Sequence, residues 1–237
     1  MNSDDTFLQP VPVAQATEDV RSRFIVRTYN HLFGAIALFT LIEIVLFKTG
    51  LAEKIAGALM GVNWLFVLGG FMLVGWFSSR AAATSKSLSS QYLALVAFVA
   101  AEASIFITLL FISNAYSQHF DESNVIASAA GTTILGCAGL TVVAFVTRKD
   151  FSFLRGFLMW GGIVALLLIV ASALFGFYMG TWFSVAMIGF AGAAVLYDTS
   201  NVLHRYEEDR YVAASLQLFS SIALMFYYVL MLFTSRR

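Results

Sequence analysis

Long apolar runs, each bounded by polar or charged positions, take up almost the whole chain. They cover residues 24–47, 63–79, 88–112, 124–146, 153–176, 180–203 and 211–233. A helix needs about 20 residues to cross a hydrocarbon core of roughly 30 Å, so each run predicts one membrane span. The intervening loops are too short to hold a second domain. The pattern therefore predicts an all-α integral membrane protein: a seven-transmembrane-helix bundle over residues 21–237, preceded by a polar, flexible tail over 1–20. Only 177–182, rich in aromatics suited to a membrane interface, separates the fifth span from the sixth, which predicts a hairpin.

Composition agrees with the pattern. Hydrophobic residues make up 59% of the 237 and charged residues 12%, with a mean hydropathy of +0.82. That is too apolar for a water-soluble domain of this length. The net charge of zero and the lack of a basic run exclude a nucleic-acid partner. Cys137 is the single cysteine, which excludes an intrachain disulfide and a cysteine metal site. The tail carries Asp4, Asp5, Glu18 and Asp19 without an apolar segment, unlike a cleavable signal peptide.

Positive charge orients the bundle. Ten Lys and Arg (Arg21, Arg23, Arg27, Arg80, Lys86, Arg148, Lys149, Arg155, Arg205 and Arg210) fall on one side, against four (Lys48, Lys54, Arg236 and Arg237) on the other. The expected N-terminus is cytoplasmic and the expected C-terminus lies outside. Glycines in the second, fourth, fifth and sixth spans suit close helix packing, and no internal repeat supports a transporter built of inverted halves.

Ionisable positions inside the spans are the candidate chemistry, because each costs roughly 2.5 to 3.5 kcal/mol on insertion scales and is seldom kept without a task. Asp198 lies about two turns before the solvated end of the sixth span, with Asn201 and Arg205 following on the same helical face. Depth counting places His31, Arg80 and Gln217 in the same inner layer as Asp198, as one hydrogen-bonded cluster. Glu102 lies near the middle of the third span and Glu43 near the outer end of the first, so that Asp198, Glu102 and Glu43 mark a path for cations. Each has a plainer alternative: Glu43 snorkels to the interface near Lys48, Glu102 is a neutral carboxyl bonded to a neighbouring helix, His31 is a packed neutral side chain, and Arg80 is an interfacial anchor.

Leu196-Tyr197-Asp198-Thr199-Ser200-Asn201, followed by His204 and a last apolar helix after Tyr211-Val212-Ala213-Ala214, resembles the signature of the transmembrane Bax inhibitor motif family, in its bacterial Bax inhibitor-1/YccA-like branch. The stretch 147–154 and Arg80 at the end of the second span add to the likeness. The resemblance implies a seven-helix bundle with the last helix central. It also implies either a pH-sensitive calcium leak or the restraint of a membrane-embedded AAA protease, in a bacterial inner membrane. In the family's latch, an aspartate on the sixth helix shares a proton with one on the seventh, beside a second-span arginine. Asp198 matches the first aspartate and Arg80 the arginine. The second aspartate is missing: its expected position is Phe219 or Ser220, and no acidic residue follows Tyr211. Asp198 is then expected to bond to Gln217, Ser220 or Arg80.

Two functions follow as expectations. One is a passive calcium or cation leak with Asp198 at the inner constriction and a weak, transient Ca2+ contact there, since hard divalent ions take oxygen ligands. The other is a non-enzymatic modulator of a membrane AAA protease, with the acidic tail as the docking segment. Membrane lipid is the expected surrounding partner. No cofactor and no enzyme activity are expected, because His31, His119 and His204 do not converge. The last span has no lysine for a retinal Schiff base.

Overall fold

The computed structural model describes residues 12–119 and 124–235. The helices are α1 (Glu18–Lys48), α2 (Leu51–Met60), α3 (Trp64–Thr84), α4 (Leu88–His119), α5 (Val125–Thr147), α6 (Leu154–Phe175), α7 (Gly180–His204) and α8 (Tyr211–Thr234). All but α2 are long and apolar enough to cross a membrane, so the seven expected spans are present among the described residues. The chain is a multi-pass membrane protein.

Local chemistry sets the helix ends. Gly50, with φ of 71°, stops α1 in the left-handed region that an L side chain disfavours. The side-chain oxygens of Asn63 and Asn124 accept from the Leu65 and Ala127 amides and start α3 and α5. Gly176 (φ 70°) and Gly180 (φ 69°) bracket the break between α6 and α7, giving the expected hairpin. The short α2 went unread in the sequence because its ten residues merge with flanking apolar positions; it packs Ala52 and Ala56 against Ile107 of α4.

At the centre is α8, in contact with α1, α3, α4, α5 and α7. Its small residues Ala213, Ala214, Ser215, Ser221 and Ala223, spread round the helix, are all buried. Small residues suit that place, since lipid supplies no hydrophobic drive between helices and association depends on close backbone approach. Larger side chains of α8 fill what remains: Phe219 meets Phe39 of α1 and Phe98 of α4 edge-on. At one end Ser113 and Thr234 share a hydrogen bond of 2.8 Å and tie α4 to α8.

Within the expected tail over 1–20, the described part from residue 12 onward is already packed on the bundle. Val13 is fully buried beside Phe24, its amide donates to the Tyr206 carbonyl at 2.8 Å, and Glu18 already opens α1. Residues 1–11, 120–123 and 236–237, with the Asp4, Asp5, Arg236 and Arg237 readings, lie outside the described residues, as does the His119 side chain.

Candidate functional site

Residues 198–202 of α7 are all buried: Asp198, Thr199, Ser200, Asn201 and Val202. Five successive residues cover every side of a helix with 3.6 residues per turn, so α7 is enclosed here on all faces. What encloses it differs by direction. Toward α8, the Ser221 hydroxyl donates a short hydrogen bond to the Asp198 carboxylate. Toward the loop between α5 and α6, Ser200 Oγ accepts from the Phe151 amide at 3.0 Å and lies 3.4 Å from the Lys149 carbonyl. At the helix end, the Asn201 carbonyl accepts from the Arg205 and Tyr206 amides, and Tyr206 in turn holds Val13.

That loop is held at two further points. Arg148 adopts a left-handed conformation (φ 49°), uncommon for a residue with a Cβ, and so turns the chain sharply out of α5. Asp150 accepts from the Ser152 amide at 2.9 Å and pairs with Arg205 at 3.4 Å. The Ser152 amide, and after it Arg205, hold the Asp150 carboxyl below the usual carboxylate range. Outside the spans, Tyr206 is shifted the opposite way: burial, with the Asp198 and Tyr197 charges behind it, pushes its hydroxyl up.

The expected inner cluster does not assemble. Asp198 finds Ser221, one residue beyond the last position considered for its partner. Phe219 is taken up by aromatic packing, Ser220 is half-buried, and Gln217 faces outward and is exposed. Arg80 is exposed and stacks its guanidinium over Trp76 at 5.8 Å. His31 bonds the Tyr92 hydroxyl at 2.9 Å and the Arg27 carbonyl at 2.6 Å, and its ring packs on Tyr211. Arg205 turns to Asp150 rather than to Asp198.

The cavity that Glu43 lines takes in neither of the other two acids. Glu102 is buried on α4. Glu43 is buried too, so it does not snorkel; it lines a cavity of about 380 Å³ that neither Asp198 nor Glu102 borders. Among the described residues no group of three or more His, Cys, Asp or Glu converges as a metal site would require. Ser221 and Ser200 were missed in the sequence. Their only signal was a small polar residue at a packing position, which most such serines share.

The arginines assigned to one side by charge gather at the end of the bundle where Val13 docks. Arg21 donates to the Val13 and Ala14 carbonyls, Arg21 and Arg148 border one recess with His204, and Arg23, Arg27 and Lys86 border another with Glu208 and Asp209.

Residues 21–237 match the sequence pattern of the family described as "Inhibitor of apoptosis-promoting Bax1". "Modulator of FtsH protease YccA" of Escherichia coli is 35% identical over 100 residues, covering 42% of this chain and 45% of that protein. "Bax inhibitor 1" of Schizosaccharomyces pombe is 26% identical over 240 residues, covering 95% of this chain and 81% of its own. "Protein LIFEGUARD 4" of Arabidopsis thaliana is 33% identical over 122 residues, about half of each chain. The matches to bacterial relatives likewise span about half of their lengths.

Proposed function

The chain belongs to the family of inhibitors of apoptosis-promoting Bax1, and on that footing we propose that it is a non-enzymatic modulator of a membrane-embedded AAA protease in a bacterial inner membrane. The likeness to the FtsH modulator supports the partner class. The observation that carries the reading is the use made of residues 198–201: Asp198 and Ser200 bond to neighbouring elements of the same chain, and the Asn201 carbonyl closes the helix end. They join α7, α8, the loop after α5 and the Val13 segment at one end of the bundle. In this reading that end, with its arginines on the cytoplasmic side, meets the protease. A photocrosslinker at Glu18 or Glu208, both exposed, is expected to recover a membrane protease from native membranes. Recovery of none from either position contradicts the reading.

A calcium or cation leak is the second proposal. It is favoured by one feature: a buried acid of α7 is held to α8 by one hydroxyl hydrogen bond rather than by a salt bridge, so hydration of Asp198 loosens a central joint. Calcium flux into dye-loaded vesicles, lost in Asp198→Asn, is the result this proposal requires; flux that persists in the variant contradicts it.

A further inference from the structure

Glu43 stands apart from everything above. It is 7% exposed, and neither carboxylate oxygen has a hydrogen-bond partner among the described residues. A buried charge left unpaired is costly, and buried charges in proteins are normally paired or coordinate a cation. Its surroundings are otherwise apolar, with Phe39, Phe106, Phe219 and Phe226 forming the cavity wall. The nearby hydroxyls do not compensate it: Thr40 Oγ1 donates to the Ile36 carbonyl and Thr133 Oγ1 to the Ala129 carbonyl, each within its own helix.

The cavity opens sideways. Its lining runs from α1 to α5, which meet elsewhere through the Tyr29 and Phe145 rings (centroids 5.9 Å apart), and Ile44 and Ile134 on its border are 46% and 65% exposed. On a spanning bundle that exposure faces acyl chains. Glu43 lies five residues before the end of α1, so about 7.5 Å along the axis separates it from that end. A headgroup is within reach of that depth. The volume of about 380 Å³ lies in the range of small-molecule sites, roughly 300 to 1,000 Å³.

We infer that this lateral cavity binds one membrane phospholipid with a primary-amine headgroup, its ammonium on the Glu43 carboxylate and an acyl chain along the phenylalanine wall. An ammonium carries three N–H donors, enough for both orphaned oxygens, whereas a hydroxyl brings only one. A bare divalent cation fits less well, since it takes roughly six to eight oxygens and Asn114 is the one further uncommitted polar side chain on the lining. The site goes beyond the protease reading and stands independently of it.

The test is native mass spectrometry of the delipidated full-length chain, given equal amounts of dioleoyl phosphatidylethanolamine and dioleoyl phosphatidylcholine. The two lipids share their chains, but the choline head has no N–H. Wild type is expected to retain one phosphatidylethanolamine with about tenfold preference, the scale of one charge-assisted hydrogen bond. Glu43→Gln is expected to lose the preference, and Ile134→Trp, an exposed change at the mouth, to lower retention of both lipids. Equal retention of the two lipids by wild type overturns the proposal, as does an unchanged preference in Glu43→Gln. Displacement of phosphatidylethanolamine by millimolar calcium in wild type but not in Glu43→Gln also overturns it, assigning Glu43 to an ion instead.

Discussion

Ser221 of α8 donates a hydrogen bond to the carboxylate of Asp198 on α7, and both residues are buried where the two helices meet. The second acid that the resemblance led one to expect on α8 is absent from 211–235, and Asp198 bonds a hydroxyl there instead. Removing the donor leaves a buried carboxylate oxygen without its partner. Ser221→Ala is expected to lower stability in detergent by about 1–3 kcal/mol, while Asp198→Asn, which keeps an acceptor, is expected to cost less. The double variant should cost clearly less than the sum of the two, and strict additivity in this cycle is the contrary result.

The aromatic position expected to hold the second acid behaves differently. Phe219 is 3% exposed and packs on Phe39 and Phe98, so Phe219→Asp removes an apolar ring and buries a charge with no partner. A loss of at least about 3 kcal/mol is expected in chemical unfolding, far above that of Ser220→Asp at the half-buried neighbour. Equal losses at the two positions contradict the register described above.

Gly161 of α6 sits under Phe190 of α7, where an added Cβ lies 2.8 Å from the ring edge. Gly161→Ala is expected to cost about 1–3 kcal/mol by overpacking. Gly162→Ala, with its nearest atom at 3.7 Å, is expected to be close to neutral. Phe190→Leu in the Gly161→Ala background should restore much of the loss, as read from thermal unfolding in detergent.

Acid weakens the loop joint at Asp150. Its carboxyl is held below the usual carboxylate range chiefly by the Ser152 amide, so its contribution is complete above the unfolded value of about 3.9 and fades as pH falls through the lower, folded value. Both Asp150 and Arg205 are about half exposed, which keeps the contribution under about 1 kcal/mol. Thermal unfolding of wild type and Asp150→Asn should differ at pH 7, with the gap narrowing as pH falls below about 3.9. A gap that does not shrink below that pH contradicts the assignment.

The spans were legible because a helix in lipid must be apolar along its whole length, which leaves a direct trace in the chain. The special place of Asp198 was legible for the same reason: a charge in such a run has a cost that invites explanation. Its partner was not. Finding Ser221 requires the rotational setting of α8 against α7, and a one-residue change rotates a helix face by about 100°. The expected grouping of Asp198 with His31, Arg80 and Gln217 failed for a related reason. Depth along the membrane normal can be counted from sequence, but the direction in which each side chain points cannot, and Gln217 and Arg80 face outward. The buried Val13 was hidden by the polar composition around it, since a single docked residue leaves no periodic pattern.

Val13 also gives the tail a measurable root. It is fully buried and its amide is bound by Tyr206, so Val13→Asp is expected to release the segment ahead of α1 without unfolding the spans. Limited proteolysis should then cut near residues 12–17 faster than in wild type, with the seven-helix core intact. Unchanged cleavage contradicts the docking.

The most direct test of the protease reading is a reconstituted degradation assay. A bacterial membrane-embedded AAA protease and a membrane substrate are placed in vesicles with increasing amounts of this chain, as wild type or Val13→Asp. Slower degradation in proportion to the wild-type chain, and a weaker effect of Val13→Asp, is the predicted result. A degradation rate indifferent to the wild-type chain at several-fold excess over the protease contradicts the account.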